Sequence, residues 1–127
     1  MPPEPRAPDP LSRLLGFDLV ERRPGYARLE GAVRPEHCNA YGNAHGGFVF
    51  SLADTAMGVA SNSHGPRAVA LAASIHLTHP ARVGETLVAE ATELSLSPRA
   101  ASYEVEVRAG ARLVAAFTGT VYRQRDG

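Results

Sequence analysis

The chain has 127 residues, 44% of them hydrophobic and 20% charged, with a formal net charge of zero. That length suits one domain with its own core, and the neutral balance gives no reason to expect a nucleic-acid partner. One cysteine, Cys38, excludes an internal disulfide, and the absence of a long apolar run or a signal-peptide pattern predicts a cytoplasmic protein with no membrane partner. All 13 cationic residues are arginines, spread along the chain rather than gathered into a phosphate-binding patch.

Residues 1–8 hold four prolines and read as a disordered tail ahead of a single domain over 9–127. Asp9-Pro10 is a helix start, an N-cap acid with proline at the first helical position. Leu11, Leu14 and Leu15 form the expected apolar stripe, and Gly16 the stop. Phe17 to Arg22 predicts a strand, Pro24-Gly25 a turn, and Tyr26 to Val33 a returning strand. Pro35 to Ala44 reads as loop.

From His45 or Gly46 to about Ser61 the spacing predicts one long helix. Phe48, Val49, Phe50, Leu52, Ala53, Ala56, Met57, Val59 and Ala60 nearly surround it, so it must be buried on most sides. Gly47, Ser51, Asp54, Thr55 and Gly58 are the narrow small or polar exception, at three- and four-residue spacing. Beyond Ser63-His64-Gly65-Pro66 the period becomes two. Strands are predicted over about Ala68–Thr78, Glu85–Leu96, Ala101–Ala109 and Arg112–Arg123. Successive strands with tight turns imply an antiparallel sheet, and one helix apolar all round implies that the sheet curls around it. The fold class is therefore α+β. The last strand is apolar on both faces, which predicts that its outer face meets another copy of the chain.

The chemistry concentrates in Asn39-Ala40-Tyr41-Gly42-Asn43-Ala44-His45-Gly46-Gly47 and the helix that follows. An acid inside an apolar helix is costly unless it is paired or used, and Asp54 is such an acid. A carboxylate there can take a proton from water or attack a carbonyl itself; the alternative is an Asp that caps a neighbouring backbone segment. Gly46 and Gly47 open the helix with backbone N–H groups that lack intrahelical partners, where the helix dipole favours an anion. Asn39 is either a turn-maker or a second polar group for a reacting oxygen. His45 is either a helix cap or a general acid. His76 and His79 are three apart in a strand and point to opposite faces, so no metal is expected.

Asn39, then His45-Gly46-Gly47, then Leu52-Ala53-Asp54-Thr55-Ala56 resembles the hotdog-fold acyl-CoA thioesterases, in particular the phenylacetate-degradation (PaaI-type) group. His79-Pro80, Gly84-Glu85-Thr86-Leu87 and Phe117-Thr118-Gly119-Thr120 also look like that group, and the likeness runs from about Leu14 to Arg123. The resemblance implies a sheet wrapped around the central helix, a dimer with its active site between two subunits, and commonly a dimer of dimers. It implies acyl-CoA as substrate, with an aryl or arylacetyl acyl group preferred, and no cofactor. It places the Gly46 N–H in an oxyanion hole, Asp54 as general base or nucleophile, and Asn39 and His45 beside them. In some relatives a Ser or Thr on the strand after the helix helps to hold the water; Ser74 is the candidate here. Gly47, Arg82 and Arg99 complete the expected substrate contacts, the arginines through coenzyme A phosphates. Two rival activities go with the same pattern: an acyl-thioester hydratase or dehydratase using His45 and Asp54 as acid and base, and a non-catalytic acyl-CoA-binding module.

Overall fold

Eight elements follow one another along the chain in the computed structural model: α1 (Pro10–Leu15), β1 (Phe17–Arg23), β2 (Tyr26–Ala32), α2 (Gly46–Ser61), β3 (Ala68–Leu77), β4 (Thr86–Leu96), β5 (Ala100–Ala109) and β6 (Arg112–Arg123). The structure describes residues 7–124. The expected tail over residues 1–8 therefore lies outside the described residues except for Ala7, which is buried, and Pro8; residues 125–127 of the expected domain also lie outside them.

The strands form one antiparallel six-stranded sheet in the order β1-β2-β4-β5-β6-β3. This is the hotdog arrangement, with α2 as the filling. Leu52, Ala53, Ala56, Met57 and Ala60 of α2 are buried against Leu29, Leu87, Tyr103, Val105, Val107 and Phe117 of the sheet. Each of the leucines, valines, Met57 and Phe117 buried here stabilises the fold by roughly 1.5–3 kcal/mol relative to exposure, and each alanine by less. The inner face of the sheet is also rich in alanine, with Ala27, Ala89, Ala91 and Ala115 fully buried, which lets the helix lie close to the strands. Gly119 of β6 is the tightest point. A Cβ there would overlap the Met57 sulfur, and the Met57 side chain would have to shift within the packed core.

Both ends of α2 are pinned. At its start the His45 Nδ1 accepts from the Gly47 N–H at 2.8 Å. At its end Asn62 donates from Nδ2 to the Gly58 carbonyl at 2.8 Å and accepts from the Ala68 N–H at 3.0 Å, which fastens the helix to the start of β3. A third tie lies just beyond. His64 Nε2 and the Tyr103 hydroxyl both reach Glu93 Oε1, each at 2.7 Å. Burial pushes the Glu93 carboxyl up, but the hydrogen bonds from Tyr103 and His64 outweigh it and hold the carboxyl below its ordinary value. Leaving the buried Tyr103 hydroxyl unpaired would cost about 1–3 kcal/mol.

One expectation from the sequence needs revision. The start and stop of α1 are as expected, with Asp9 Oδ1 accepting from the Ser12 N–H at 2.8 Å and Gly16 in the left-handed region. Of its leucine stripe only Leu15 packs against the core: Leu11 is 54% and Leu14 73% exposed, while Ser12 is fully buried. A helix of six residues buries too little surface to choose its own orientation; its caps and the anchor at Phe17 choose it. β6 sits inside the sheet, paired on both edges, and the edge strands are β1 and β3. Along β3, Val69 is 42%, Leu71 65% and Leu77 52% exposed. Its sequence Ala-Val-Ala-Leu-Ala-Ala-Ser-Ile-His-Leu carries no Asp, Glu, Lys, Arg or Pro to discourage pairing with another strand.

Candidate active site

Asp54 sits half-way along α2 and is half-buried. Its carboxylate has no hydrogen-bond partner among the described residues, which leaves it open towards the space it faces. Burial pushes its carboxyl above the ordinary Asp value, and the nearby Asp9 carboxylate adds to the rise. Asp54 faces a cavity of about 610 Å³ whose wall includes Asp9, Leu11, Arg22, Phe50, Thr55 and Gly58. The Phe50 ring in this wall is held edge-on against Phe117 at 5.5 Å. Ser51 and Thr55, on the same face, turn their hydroxyls back onto the helix, to the carbonyls of Gly47 and Ser51 at 2.8 and 2.7 Å. They line the space without competing for Asp54. The sequence marked Asp9 as a helix cap only. That α1 lays it beside Asp54 is a tertiary contact without a local signal.

The glycine turn is built from the loop upward. Asn39 Oδ1 accepts from the N–H groups of Tyr41 and Asn43, at 2.9 and 3.1 Å. The turn-making reading of Asn39 is thus realised, and the polar group it has left is the Nδ2 donor. His37, buried and stacked on Phe48 at 4.1 Å, accepts the His45 N–H at its carbonyl at 2.8 Å and so ties the loop to the helix start. Burial and the adjacent Arg34 guanidinium hold the His37 imidazole below its ordinary value. The sequence reading did not foresee this packing role for His37, because nothing local marks a histidine as a packing residue.

The two glycines then part company. The Gly47 N–H is taken by His45 Nδ1, which corrects the expectation that both amides stand free and leaves His45 as the cap. Bonded in this way, Nδ1 carries no proton. The Gly46 N–H has no partner among the described residues and borders a cavity of about 210 Å³ shared with Asn39, Leu77, Thr78 and His79. A Cβ on Gly46 would meet only the tip of Leu77, at 2.9 Å, a side-chain end that can move. Gly46→Ala is therefore expected to lower kcat/KM roughly 10-fold or more through crowding of the carbonyl's approach, with little change in thermal midpoint. Activity per folded molecule and thermal melts check this; an unstable variant with full specific activity would mean that glycine serves the turn alone.

Asp54 and Gly46 do not meet in one chain. They are eight residues apart on one helix, a rise of about 12 Å, and open onto different cavities. The other expected contacts are also dispersed. Ser74 lies on the exposed β3 edge, in a third cavity with Ser102 and Thr118. The Arg82 segment pairs with Asn43 and stands near the Asn39 turn. Arg99 lies at the far end of the sheet, where its carbonyl accepts from the Arg123 N–H. Arg123 and Arg112 mark the two ends of β6, eleven residues or roughly 35 Å apart, and Glu85 joins Arg112 to the Arg82 backbone at the second end. One chain therefore cannot place Arg82 and Arg99 on one phosphate group. Among the described residues no three His, Cys, Asp or Glu side chains converge as a metal site, and no helix is long and apolar enough to cross a membrane.

Comparison with known proteins decides the family. The model of the thioesterase superfamily matches residues 41–116, more than half of the chain. The chain belongs to the thioesterase superfamily. Acyl-coenzyme A thioesterase PaaI of Escherichia coli is 35% identical over 116 residues, covering 91% of this thioesterase and 83% of that relative. A solved variant of the phenylacetic acid degradation protein PaaI from Thermus thermophilus superposes with a TM-score of 0.89 at 45% identity, covering 91% of this chain and all of that one (100%). The structure of smu.793 from Streptococcus mutans, bound to acetyl-CoA, matches with a TM-score of 0.83 at 29% identity over 95% of this chain and 94% of that one. The resemblance to the hotdog-fold acyl-CoA thioesterases of PaaI type is thereby established for this thioesterase.

Proposed function

We propose that this enzyme hydrolyses acyl-CoA thioesters to a free acid and coenzyme A, in a composite site where Asp54 of one subunit faces the Asn39–Gly46 turn of a second. The observation that carries this reading is the division of labour within one chain. An unpartnered, half-buried carboxylate lies in one cavity and an unpartnered helix-start amide in another, too far apart to act on one carbonyl. The bare β3 edge supports a second copy, because two such strands can continue each other's ladder and bring two α2 helices side by side. This surface supports a dimer, and the exposed Leu94 and Leu96 on β4 support a dimer of such dimers.

The chemistry needs few groups. The thioester oxygen lies against the Gly46 N–H, where the helix dipole favours the negative charge that develops, and the Asn39 Nδ2 donates from the same side. Asp54 takes a proton from a water that attacks the carbonyl carbon. The C–S bond then breaks and the thiolate of coenzyme A departs, a leaving group good enough to need no acid from His45. In the nucleophilic variant the Asp54 carboxylate attacks first, the thiolate leaves, and water hydrolyses the resulting anhydride. The upward shift of the Asp54 carboxyl suits either route, because it makes the carboxylate a stronger base. Arg82, beside the turn, is the arginine this arrangement favours for a coenzyme A phosphate; Ser74 stands on the edge that would meet the partner. The apolar wall of Leu11, Phe50 and Val59 supports an aryl or arylacetyl acyl group.

A panel of acetyl-, hexanoyl-, benzoyl- and phenylacetyl-CoA, assayed for free thiol, with crotonyl-CoA followed for hydration, tests the proposal. Thiol release fastest from the aromatic members is expected. Hydration of crotonyl-CoA without thiol release would replace hydrolysis by the hydratase reading, and binding without either reaction would leave a non-catalytic module.

A further inference from the structure

We infer that Gly58 sets the size of acyl group that this thioesterase accepts: the space above its Cα is part of the acyl pocket, one helical turn beyond Asp54. The inference rests on the proposed hydrolysis and adds a specificity residue to it.

Gly58 lies four residues after Asp54 on α2, so the two share a face and stand about 6 Å apart along the axis. Both line the cavity of about 610 Å³, a size that holds a drug-sized ligand. A glycine inside a helix costs about 1 kcal/mol relative to alanine. At the other described glycines the missing side chain has a reason in packing or in a positive φ. At Gly119 a Cβ would strike Met57, and at Gly31 it would strike the Phe17 ring at 2.9 Å. At Gly58 it would meet no described atom within 4 Å, and the backbone is ordinary helix without a positive φ. Neither packing within the chain nor backbone conformation asks for glycine there. What glycine leaves is open volume beside the carboxylate, walled by Phe50, Val59 and Leu11. An acyl group whose carbonyl is held near Asp54 extends into that volume, and its bulk is limited by whatever side chain stands at 58. The substrate class this favours is a thioester with a ring or branch close to the carbonyl, over a slender chain that leaves the space unfilled.

The test compares Gly58→Ala and Gly58→Val with the unaltered enzyme on acetyl-, hexanoyl- and phenylacetyl-CoA. It reads kcat/KM, thermal midpoint and sedimentation. Each added carbon in an apolar pocket shifts discrimination by roughly 10–200-fold. The ratio of phenylacetyl-CoA to acetyl-CoA kcat/KM should fall about 10-fold in Gly58→Ala and further in Gly58→Val. Gly58→Ala should also melt higher, because it removes the helix penalty. An unchanged ratio in active, assembled variants would overturn the inference and leave hydrolysis standing. Equal loss on all three substrates together with a smaller sedimenting species would assign the space to a subunit contact and overturn it too. If the unaltered enzyme releases no thiol from any of the three, the hydrolysis reading itself falls, and the inference with it.

Discussion

Asp54→Asn should reduce turnover by at least ~10²–10⁴-fold while the protein folds and assembles normally. Asparagine keeps the shape of the side chain and removes the base. It also removes a source of instability. An acid whose pKa is raised in the folded state holds its proton more tightly there than in the unfolded chain. Its contribution therefore favours folding at low pH and is lost as pH rises through the raised value. The raised carboxyl of Asp54 has that sign, from burial first and then from Asp9. At neutral pH the variant should melt at a higher temperature than the parent, whereas an Asp that merely capped backbone would be missed by the fold. The same shift fixes the acid limb of the pH–rate profile. Activity should fall as pH drops through a value above the ordinary Asp range, and Asp54→Asn should have no such limb. Near-normal turnover in a folded Asp54→Asn protein would remove Asp54 from the chemistry.

The parts of the fold governed by local pattern were legible in the sequence. Period two along residues 68–123 gave four strands whose ends fall within about one residue of the structure, because side-chain alternation across a half-buried sheet is a strong signal. The long helix and its small polar face were equally plain, since an apolar surround with a narrow exception at three- and four-residue spacing has few other solutions. What escaped is tertiary. Leu11 and Leu14 look like a core stripe and are exposed, because α1 is too short to bury its own face. Asp9 reads as a cap, and only the packing of α1 beside α2 makes it a neighbour of Asp54. The composition of the strands did not tell their order, and it is the order that puts the apolar β3 at an edge. Two unpartnered amides at the helix start became one once the His45 ring folded back onto Gly47.

The candidate site divides in the same way. The motif from Asn39 to Asp54 supplies the residue types, but not the fact that a single chain holds them in two separate cavities. That separation makes a strong demand. If Asp54 acts with the turn of its own chain, the helix rise of about 12 Å between Gly46 and Asp54 has to be spanned by the substrate alone. If it acts with the turn of a second chain, each inactive variant lacks one half of every site. Asn39→Ala removes the Oδ1 that shapes the turn and the Nδ2 donor together, and Asp54→Asn removes the base.

Mixing the two inactive proteins is the most direct measurement. After exchange of subunits, verified by mass on differently tagged chains, a mixed dimer carries one site with both defects and one with neither. Equal mixing should restore about a quarter of the parental rate, because half of the dimers are mixed and each has one working site of two. Purified Asp54→Asn and Asn39→Ala proteins that stay inactive after verified exchange, or a parental protein that sediments as an active monomer, would contradict a site shared between subunits.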